Sequence, residues 1–166
     1  MKEHFDLMAR YNRWANERLY RAAATLADEQ YRRDAGAFFK SLHGTLNHLL
    51  VADRIWMRRL TGSGPEPRAL DALVHQDLAS LGAARQAEDA RIEAYVQGLA
   101  EDDLEAPFEY RTLAGAPYRQ RRREVLAHLF NHQTHHRGQA HAILTAVGVA
   151  EPPPLDLLIM QRELGA

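Results

Sequence analysis

The stretch HLFNHQTHHRGQAH, residues 128–141, lies in the middle of the segment that decides the fold. Apolar residues recur through this segment at three- and four-residue spacing, which is typical of an amphipathic helix. They form one stripe: Val125, Leu129, Ala140, Ile143 and Val147. We therefore predict a helix from about Arg121 to Val147, ended by Gly148. Five of the nine histidines fall within residues 128–141, so this helix is also the first candidate for a functional site.

Three further segments show the same helical periodicity. They run from about Glu3 to Leu26, from Phe38 to Leu60 and from Ala72 to Leu99. Amphipathic helices of this length bury their apolar stripes against one another, so we predict an all-α fold, a four-helix bundle forming a single domain over residues 1–166. The breaker cluster TGSGPEP, residues 61–67, begins a long loop that allows a crossover connection between the second and third helices.

Two shorter elements complete the prediction. In FEYRTLAGAPYRQ, residues 108–120, aromatic residues alternate with polar ones before the turn-like LAGAP, which indicates a short β-hairpin ahead of the fourth helix. After the helix-breaking EPPP, the sequence LDLLIMQREL, residues 155–164, predicts a short C-terminal helix.

The third long helix is the most polar, and Arg85, Asp89 and Glu93 follow one another along it at four-residue spacing. We expect those charges to lie on a largely solvent-exposed face.

Composition narrows the classes of function. The chain has 21 basic and 22 acidic residues, so we expect no nucleic-acid partner, and we interpret RQRRR, residues 119–123, as the solvated start of the fourth helix. No run of about 18 apolar residues occurs and the first residues lack a signal-peptide pattern, so we expect no membrane association and a cytoplasmic location. Because the sequence contains no cysteine, a metal site must use His, Asp, Glu and water.

Helical phase separates the five histidines of residues 128–141. At about 100° per residue, His136 falls nearly at the centre of the apolar stripe and His132 falls on its shoulder. His128 and His135 lie towards the boundary with solvent, and His141 points to the opposite side. Because residues four apart stack on one helical face, His132 and His136 can hold one ion between them.

A third ligand should come from a facing helix. His48 is the candidate, because it lies on the flank of the apolar stripe of the second helix. His43 falls on the far side of that helix, and His4 and His75 have no assigned partner. A lone inward histidine is usually a hydrogen-bonded core residue, whereas two stacked imidazoles without a metal would repel each other if protonated. Spacing alone leaves the metal site and the hydrogen-bonded core as alternatives.

Three motifs resemble the DinB family of small helical-bundle proteins, which is sometimes grouped with bacillithiol-transferase-like proteins. They are YNRWANERL at residues 11–19, NHLLVADRIW at 47–56 and HLFNHQTHHRGQ at 128–139, and the resemblance covers nearly the whole chain. The metal-binding histidines of that family correspond to His48, His132 and His136, the set that helical phase also selects. The name is shared with an unrelated DNA polymerase, for which this chain is too short.

The resemblance implies a divalent transition metal, with zinc or nickel expected first and iron or manganese as alternatives. Three histidines that leave an open coordination position are typical of a catalytic site. The leading hypothesis follows the resemblance, which implies a metal-dependent thiol S-transferase whose partners are a small-molecule thiol and an electrophile. The alternatives are a non-catalytic, stress-linked metal-binding protein and a hydrolase that uses metal-bound hydroxide.

Supporting roles are less constrained by the sequence. Asn47, Asn131 and Gln139 are candidates to orient the imidazoles through their second nitrogens. Glu124, the only candidate for a general base, is better explained as a charge at a helix N-terminus. Relatives often form homodimers, for which Trp14 could supply an exposed apolar contact. Packing within its own bundle, or lining the substrate cleft together with Tyr11, are the alternatives for Trp14.

Overall fold

A computed structural model describes residues 1–165 and contains seven helices and one β-hairpin in that range. The elements are α1 (Lys2–Ala23), α2 (Asp28–Arg32), α3 (Leu42–Thr61), α4 (Leu78–Gln97), α5 (Glu101–Glu105), β1 (Pro107–Arg111), β2 (Pro117–Arg121), α6 (Arg122–Ala146) and α7 (Leu157–Leu164). The long helices α1, α3, α4 and α6 are the four predicted from periodicity. The all-α class, the antiparallel hairpin before α6 and the short C-terminal helix are confirmed. The short helices α2 and α5 were not predicted.

The four long helices form a bundle in which α1 and α3 are diagonal, because each packs against both α4 and α6. Helices α3 and α4 run parallel. Near the start of α3, Asn47 accepts from the His75 backbone at 3.1 Å, and at its end Thr61 accepts from Arg91 at 2.8 Å. Residues 62–77 must therefore return along the length of the bundle, and the predicted crossover is confirmed. Within residues 1–165, no helix is long and apolar enough to cross a membrane.

Two of the predicted helix starts were too early, and capping explains both. The second helix was expected from Phe38, but Lys40 has a left-handed backbone and Ser41 caps α3 by accepting from the Gly44 amide at 3.1 Å. The third was expected from Ala72, but α4 begins only after Asp77, whose carboxylate accepts from the Ser80 amide at 2.8 Å. A capping side chain satisfies an amide that has no partner within the helix, so it fixes where the helix begins.

The face of α4 that was expected to be exposed is instead buried, and that prediction is wrong. Arg85 and Asp89 are each only 2% exposed, and Glu93 is 8% exposed. Arg85 bridges Asp53 of α3 at 2.8 Å and Asp89 at 3.0 Å. We call the connected set the core charge network; its members are Asn12, Asn16, Asp53, Arg85, Asp89, Gln133 and Arg137.

The core charge network forms a polar layer across the bundle, with members on α1, α3, α4 and α6. On every one of these helices its members lie between residues of two separate apolar clusters. On α3, for example, Asp53 lies between Leu50 of one cluster and Met57 of the other. A charge in such a layer is tolerated only when it is paired and hydrogen-bonded. Mutual pairing therefore explains how four-residue charge spacing occurs inside the protein.

Candidate metal centre

The structure brings His48, His132 and His136 together at the contact between α3 and α6. The Nε2 atom of His48 lies 3.2 Å from Nε2 of His132 and 3.2 Å from Nε2 of His136. Each residue offers one ligand nitrogen, and the three nitrogens lie within 4.8 Å of one another. His48 is buried, whereas the two histidines of α6 are half-buried. Three histidines are thus placed so that they could hold one metal ion.

Hydrogen bonds at Nδ1 set the tautomers of two of these imidazoles. Nδ1 of His48 donates to the Leu70 carbonyl at 2.8 Å, and Nδ1 of His136 donates to Oε1 of Gln139 at 2.8 Å. Because a carbonyl oxygen can only accept, each Nδ1 carries the proton and each Nε2 presents a lone pair. Gln139 in turn donates to His135 at 3.1 Å, which fixes the orientation of its amide.

The electrostatics favour neutral imidazoles. Burial lowers the pKa of His48 and of His136, and burial together with the neighbouring histidines lowers the pKa of His132 to about 3. Nε2 of His48 lies close to Nε2 of both His132 and His136. A proton on Nε2 of His132 would turn the first contact into a hydrogen bond, but the lone pairs of His48 and His136 would still face each other. A tetrahedral ion with nitrogen bonds of about 2.0–2.1 Å holds its ligands roughly 3.3 Å apart, close to the 3.2 Å from Nε2 of His48 to each of the other two Nε2 atoms. The donor set therefore fits a divalent transition metal.

Residues before α3 shield one side of the histidine cluster. The Phe39 ring stacks on the His48 ring with centroids 3.8 Å apart and meets His136 edge-on at 5.6 Å. This position depends on Gly44, because a Cβ there would lie 2.1 Å from the Phe39 carbonyl oxygen. The glycine lets the chain cross the first turn of α3 at close range and bring Phe39 against the imidazoles.

The other histidines lie outside the cluster. His128 and His135 are exposed, as their helical phase predicted. His141 was expected to point away from the bundle, but it is half-buried and contacts the Pro153 carbonyl at 3.1 Å, because the segment after α6 folds back over it. His43 was placed on the far side of its helix, but it is buried there by α2, where its Nδ1 lies 3.1 Å from the Tyr31 hydroxyl. His4 is exposed, and the His75 ring lies near Arg54.

The helical phase of α6 needs one correction. His136 was placed near the centre of the buried stripe, but Gln133 and Arg137 occupy the centre and are at most 1% exposed. A buried face predicted from apolar residues alone does not include Gln133 and Arg137, which are buried because their polar ends join the core charge network. The two candidate ligands on α6, His132 and His136, therefore lie at the edge of the buried face, next to α3.

Of the three residues that were candidates to orient the imidazoles, one does so in the structure. Gln139 holds His136, whereas Asn47 bonds to the backbone of His43 and His75, and Asn131 is exposed. The Leu70 carbonyl had no sequence signal, because any residue type offers the same backbone oxygen. Glu124 accepts from the Arg121 amide at 3.1 Å, which supports its role at the helix N-terminus.

The aromatic residues of the first motif lie away from the cluster. Tyr11 donates to the Leu155 carbonyl at 2.7 Å, and Trp14 donates to Glu163 at 3.0 Å, so both pack beneath the C-terminal segment.

The basic run 119–123 is matched by acidic side chains of the same chain: Arg119 with Glu109, Arg122 with Asp103, and Arg121 and Arg123 with Glu105. The interpretation of the run as a helix start holds for Arg122 and Arg123 only, because residues 119–121 end β2; the charges of the run are paired within the chain.

A cavity of about 430 Å³ opens beside His132. Ala52, Ile55 and Trp56 of α3 form its apolar wall, and Leu113 in the hairpin turn covers it. A metal held by the three histidines would thus have room for a ligand on the side of His132. Of the three clustered histidines, His132 alone lines this cavity, so the cavity reaches one side of the cluster, whereas a closed structural site has no such opening.

Comparisons with known proteins agree with the motifs. The model of the DinB family matches residues 1–163. Protein DinB of Bacillus subtilis (strain 168) is 26% identical to this chain over 151 residues, which cover 86% of each of the two chains. The family match spans the whole bundle and includes all three clustered histidines. The chain therefore belongs to the DinB family.

Proposed function

We propose that this protein is a metal-dependent thiol S-transferase in which His48, His132 and His136 hold a divalent transition metal. The observation that carries the proposal is the convergence of three neutral Nε2 atoms beside an open cavity. Zinc and nickel suit three imidazoles best, and iron or manganese are alternatives. When bound, such an ion stabilises a thiolate at neutral pH.

The absence of cysteine supports a small-molecule thiol as the nucleophile. In the proposed reaction its sulfur attacks an electrophilic carbon, a C–S bond forms, and the leaving group departs with its bonding electrons. The thiol proton passes to solvent. The residues of this chain keep the three imidazoles neutral and oriented, through the Leu70 carbonyl and Gln139, and the apolar wall of the cavity limits competing hydrolysis.

The first test is the metal content of protein purified without a histidine tag. We expect about one transition-metal ion per chain by elemental analysis, and no bound ion in the His132→Ala/His136→Ala variant. The matched control is His4→Ala/His141→Ala, which removes two histidines outside the cluster and should retain the metal. Metal that persists in the cluster variant, or is absent from wild-type protein after reconstitution, would show that the site is wrong.

The second test separates the candidate functions. Thiol transfer predicts conjugation of a chloronitrobenzene with glutathione, bacillithiol or mycothiol that requires the metal and is lost in the cluster variant. A metal-hydroxide hydrolase should instead cleave ester or amide substrates without added thiol. A structural, stress-linked metal protein should show neither activity but should lose thermal stability when the metal is removed.

The proposal also covers the cellular location and the oligomeric state of the protein. A cytoplasmic location fits a reaction that consumes a reduced low-molecular-weight thiol. We also propose a homodimer, the state that the family resemblance implied. Sedimentation at several protein concentrations would test it, and a constant monomer mass would exclude it. Trp14 is not offered as the dimer contact, because its ring already packs against Tyr11 and α7.

A further inference from the structure

One face of α3 connects the candidate metal centre to a positive charge. His48, Ala52, Ile55 and Arg59 follow one another at four-, three- and four-residue spacing, so they lie on the same side of the helix. The cavity beside His132 is lined by the last three of these residues. From Ala52 to Arg59 the helix rises roughly 10 Å. A cleft of that length therefore has a metal-binding end, an apolar middle and a cationic end.

The cationic end continues into a second cavity of about 680 Å³. The two cavities share Ile55, Arg59, Thr112 and Leu113, so they adjoin at Arg59, and we treat them together as one cleft. Its charged lining consists of four arginines and one carboxylate: Arg58, Arg59, Arg68, Arg111 and Glu66. This excess of positive charge is local, because the chain as a whole has a net charge of −1. Such a surface attracts anionic small molecules.

Arg59 is the cation best placed to bind an anion. Glu66 is already paired with Arg58 at 3.1 Å, and Arg59 forms no salt bridge with any of residues 1–165. Its guanidinium lies 4.5 Å from the centre of the Trp56 ring and 5.3 Å from that of Tyr110, which holds it in place without neutralising it. Burial lowers the pKa of Arg59, as expected for a partly desolvated cation that lacks a counter-ion.

We infer that this cleft binds a carboxylate-bearing thiol, with the carboxylate at Arg59 and the sulfur at the histidine cluster. The inference rests on the proposed function for the sulfur end only. A guanidinium forms two parallel hydrogen bonds with a carboxylate, and Ala52, Ile55 and Trp56 offer the body of the ligand an apolar wall in the same cavity. Arg59 is thus a binding residue that selects the thiol.

The carboxylate site can be tested without the metal. In His132→Ala/His136→Ala protein, calorimetry would measure binding of S-methylglutathione, which has carboxylates but no free thiol. We expect Arg59→Gln to raise its Kd roughly 10- to 100-fold, and the diethyl ester of the probe to bind similarly weakly. Arg10→Gln, which removes an exposed charge from α1, is the matched control and should leave Kd unchanged. Equal binding by Arg59→Gln, equal binding of the ester, or no binding of the probe would overturn the inference.

A second experiment keeps the two proposals distinguishable. In cobalt-loaded wild-type protein, glutathione should produce a sulfur-to-cobalt absorption band, and Arg59→Gln should shift its half-saturation to higher thiol concentration without changing the band at saturation. If no cobalt binds, the proposed function fails while the metal-free assay still decides the role of Arg59. If the band forms with the same half-saturation in wild type and Arg59→Gln, the thiol binds the metal but the carboxylate assignment is wrong.

Discussion

The core charge network, which spans α1, α3, α4 and α6, and the histidine cluster, which lies on α3 and α6 alone, are two polar groupings that differ in what completes them. In the network, Arg85 lies between Asp53 and Asp89, so opposite charges meet within the protein. In the cluster, three acceptors of the same kind point at one another. A buried polar group needs a complementary partner. The network has its partners in the chain, whereas the proposed partner of the cluster is a cation from outside.

Removing a cation from the network should have the largest effect. Arg85→Met removes the one cation that contacts both Asp53 and Asp89 and leaves these carboxylates buried without a direct ion pair, so we expect the free energy of unfolding to fall by about 3–5 kcal/mol. Chemical denaturation would measure this change, with Arg10→Met as a control for an exposed arginine that should change stability little. A loss below about 1 kcal/mol would mean that the network is not what supports the polar layer.

Supplying a cation to the cluster should have the next largest effect. Zinc at 100 times its Kd should stabilise the metal-free wild-type protein by about 2.7 kcal/mol, because it binds the folded state alone. The same zinc should not stabilise His132→Ala/His136→Ala, while it should stabilise Arg85→Met as it does wild type. Thermal unfolding with and without zinc would show both results. Stabilisation that survives in the histidine variant would place the zinc elsewhere.

Removing the hydrogen bond that orients the His136 imidazole should have a smaller effect, on the affinity for zinc. Gln139→Leu removes the acceptor for Nδ1 of His136, and we expect zinc affinity to fall about 10- to 100-fold. Gln139→Glu keeps an acceptor at this position and should retain most of the affinity. Competition with a coloured chelator would measure both Kd values. Equal losses in the two variants would mean that side-chain packing, rather than the hydrogen bond, orients His136.

The smallest effect near neutral pH should come from proton uptake by the cluster. His132 has a folded-state pKa of about 3 against about 6.5 when unfolded, so between these values the unfolded chain binds more protons. The contribution of neutral His132 to the free energy of unfolding is therefore fully present above a pH of about 6.5 and is lost as the pH falls towards 3. Denaturation of metal-free protein across this range should show a smaller loss in His132→Ala than in wild type. Identical pH profiles would contradict the assignment.

The histidine cluster could be predicted from the sequence, because two of its members, His132 and His136, share one helical face of α6. Periodicity also gave the four long helices, and the breaker cluster at 61–67 indicated the crossover. The third member of the cluster, His48, required an assumption about which helices face each other, and α3 does pack against α6.

The core charge network could not be predicted in the same way. Charges four residues apart, such as Arg85 and Asp89, are typical of an exposed helical face, and only the contact with Asp53 of another helix shows that they are buried. The same ambiguity hid Gln133 and Arg137 on α6. Long-range pairing decides whether a polar residue lies inside, and the local sequence does not record it.

The crossover loop has a consequence for how this site can vary. Because α3 and α4 run parallel, residues 62–77 must span the bundle, and on the way they place the Leu70 carbonyl against His48. A backbone oxygen is present whatever residue occupies position 70, so substitutions there should leave the imidazole oriented. A change in loop length would move that oxygen. Related chains could therefore exchange the side chains around the cleft freely while the number of residues in the loop stays constrained.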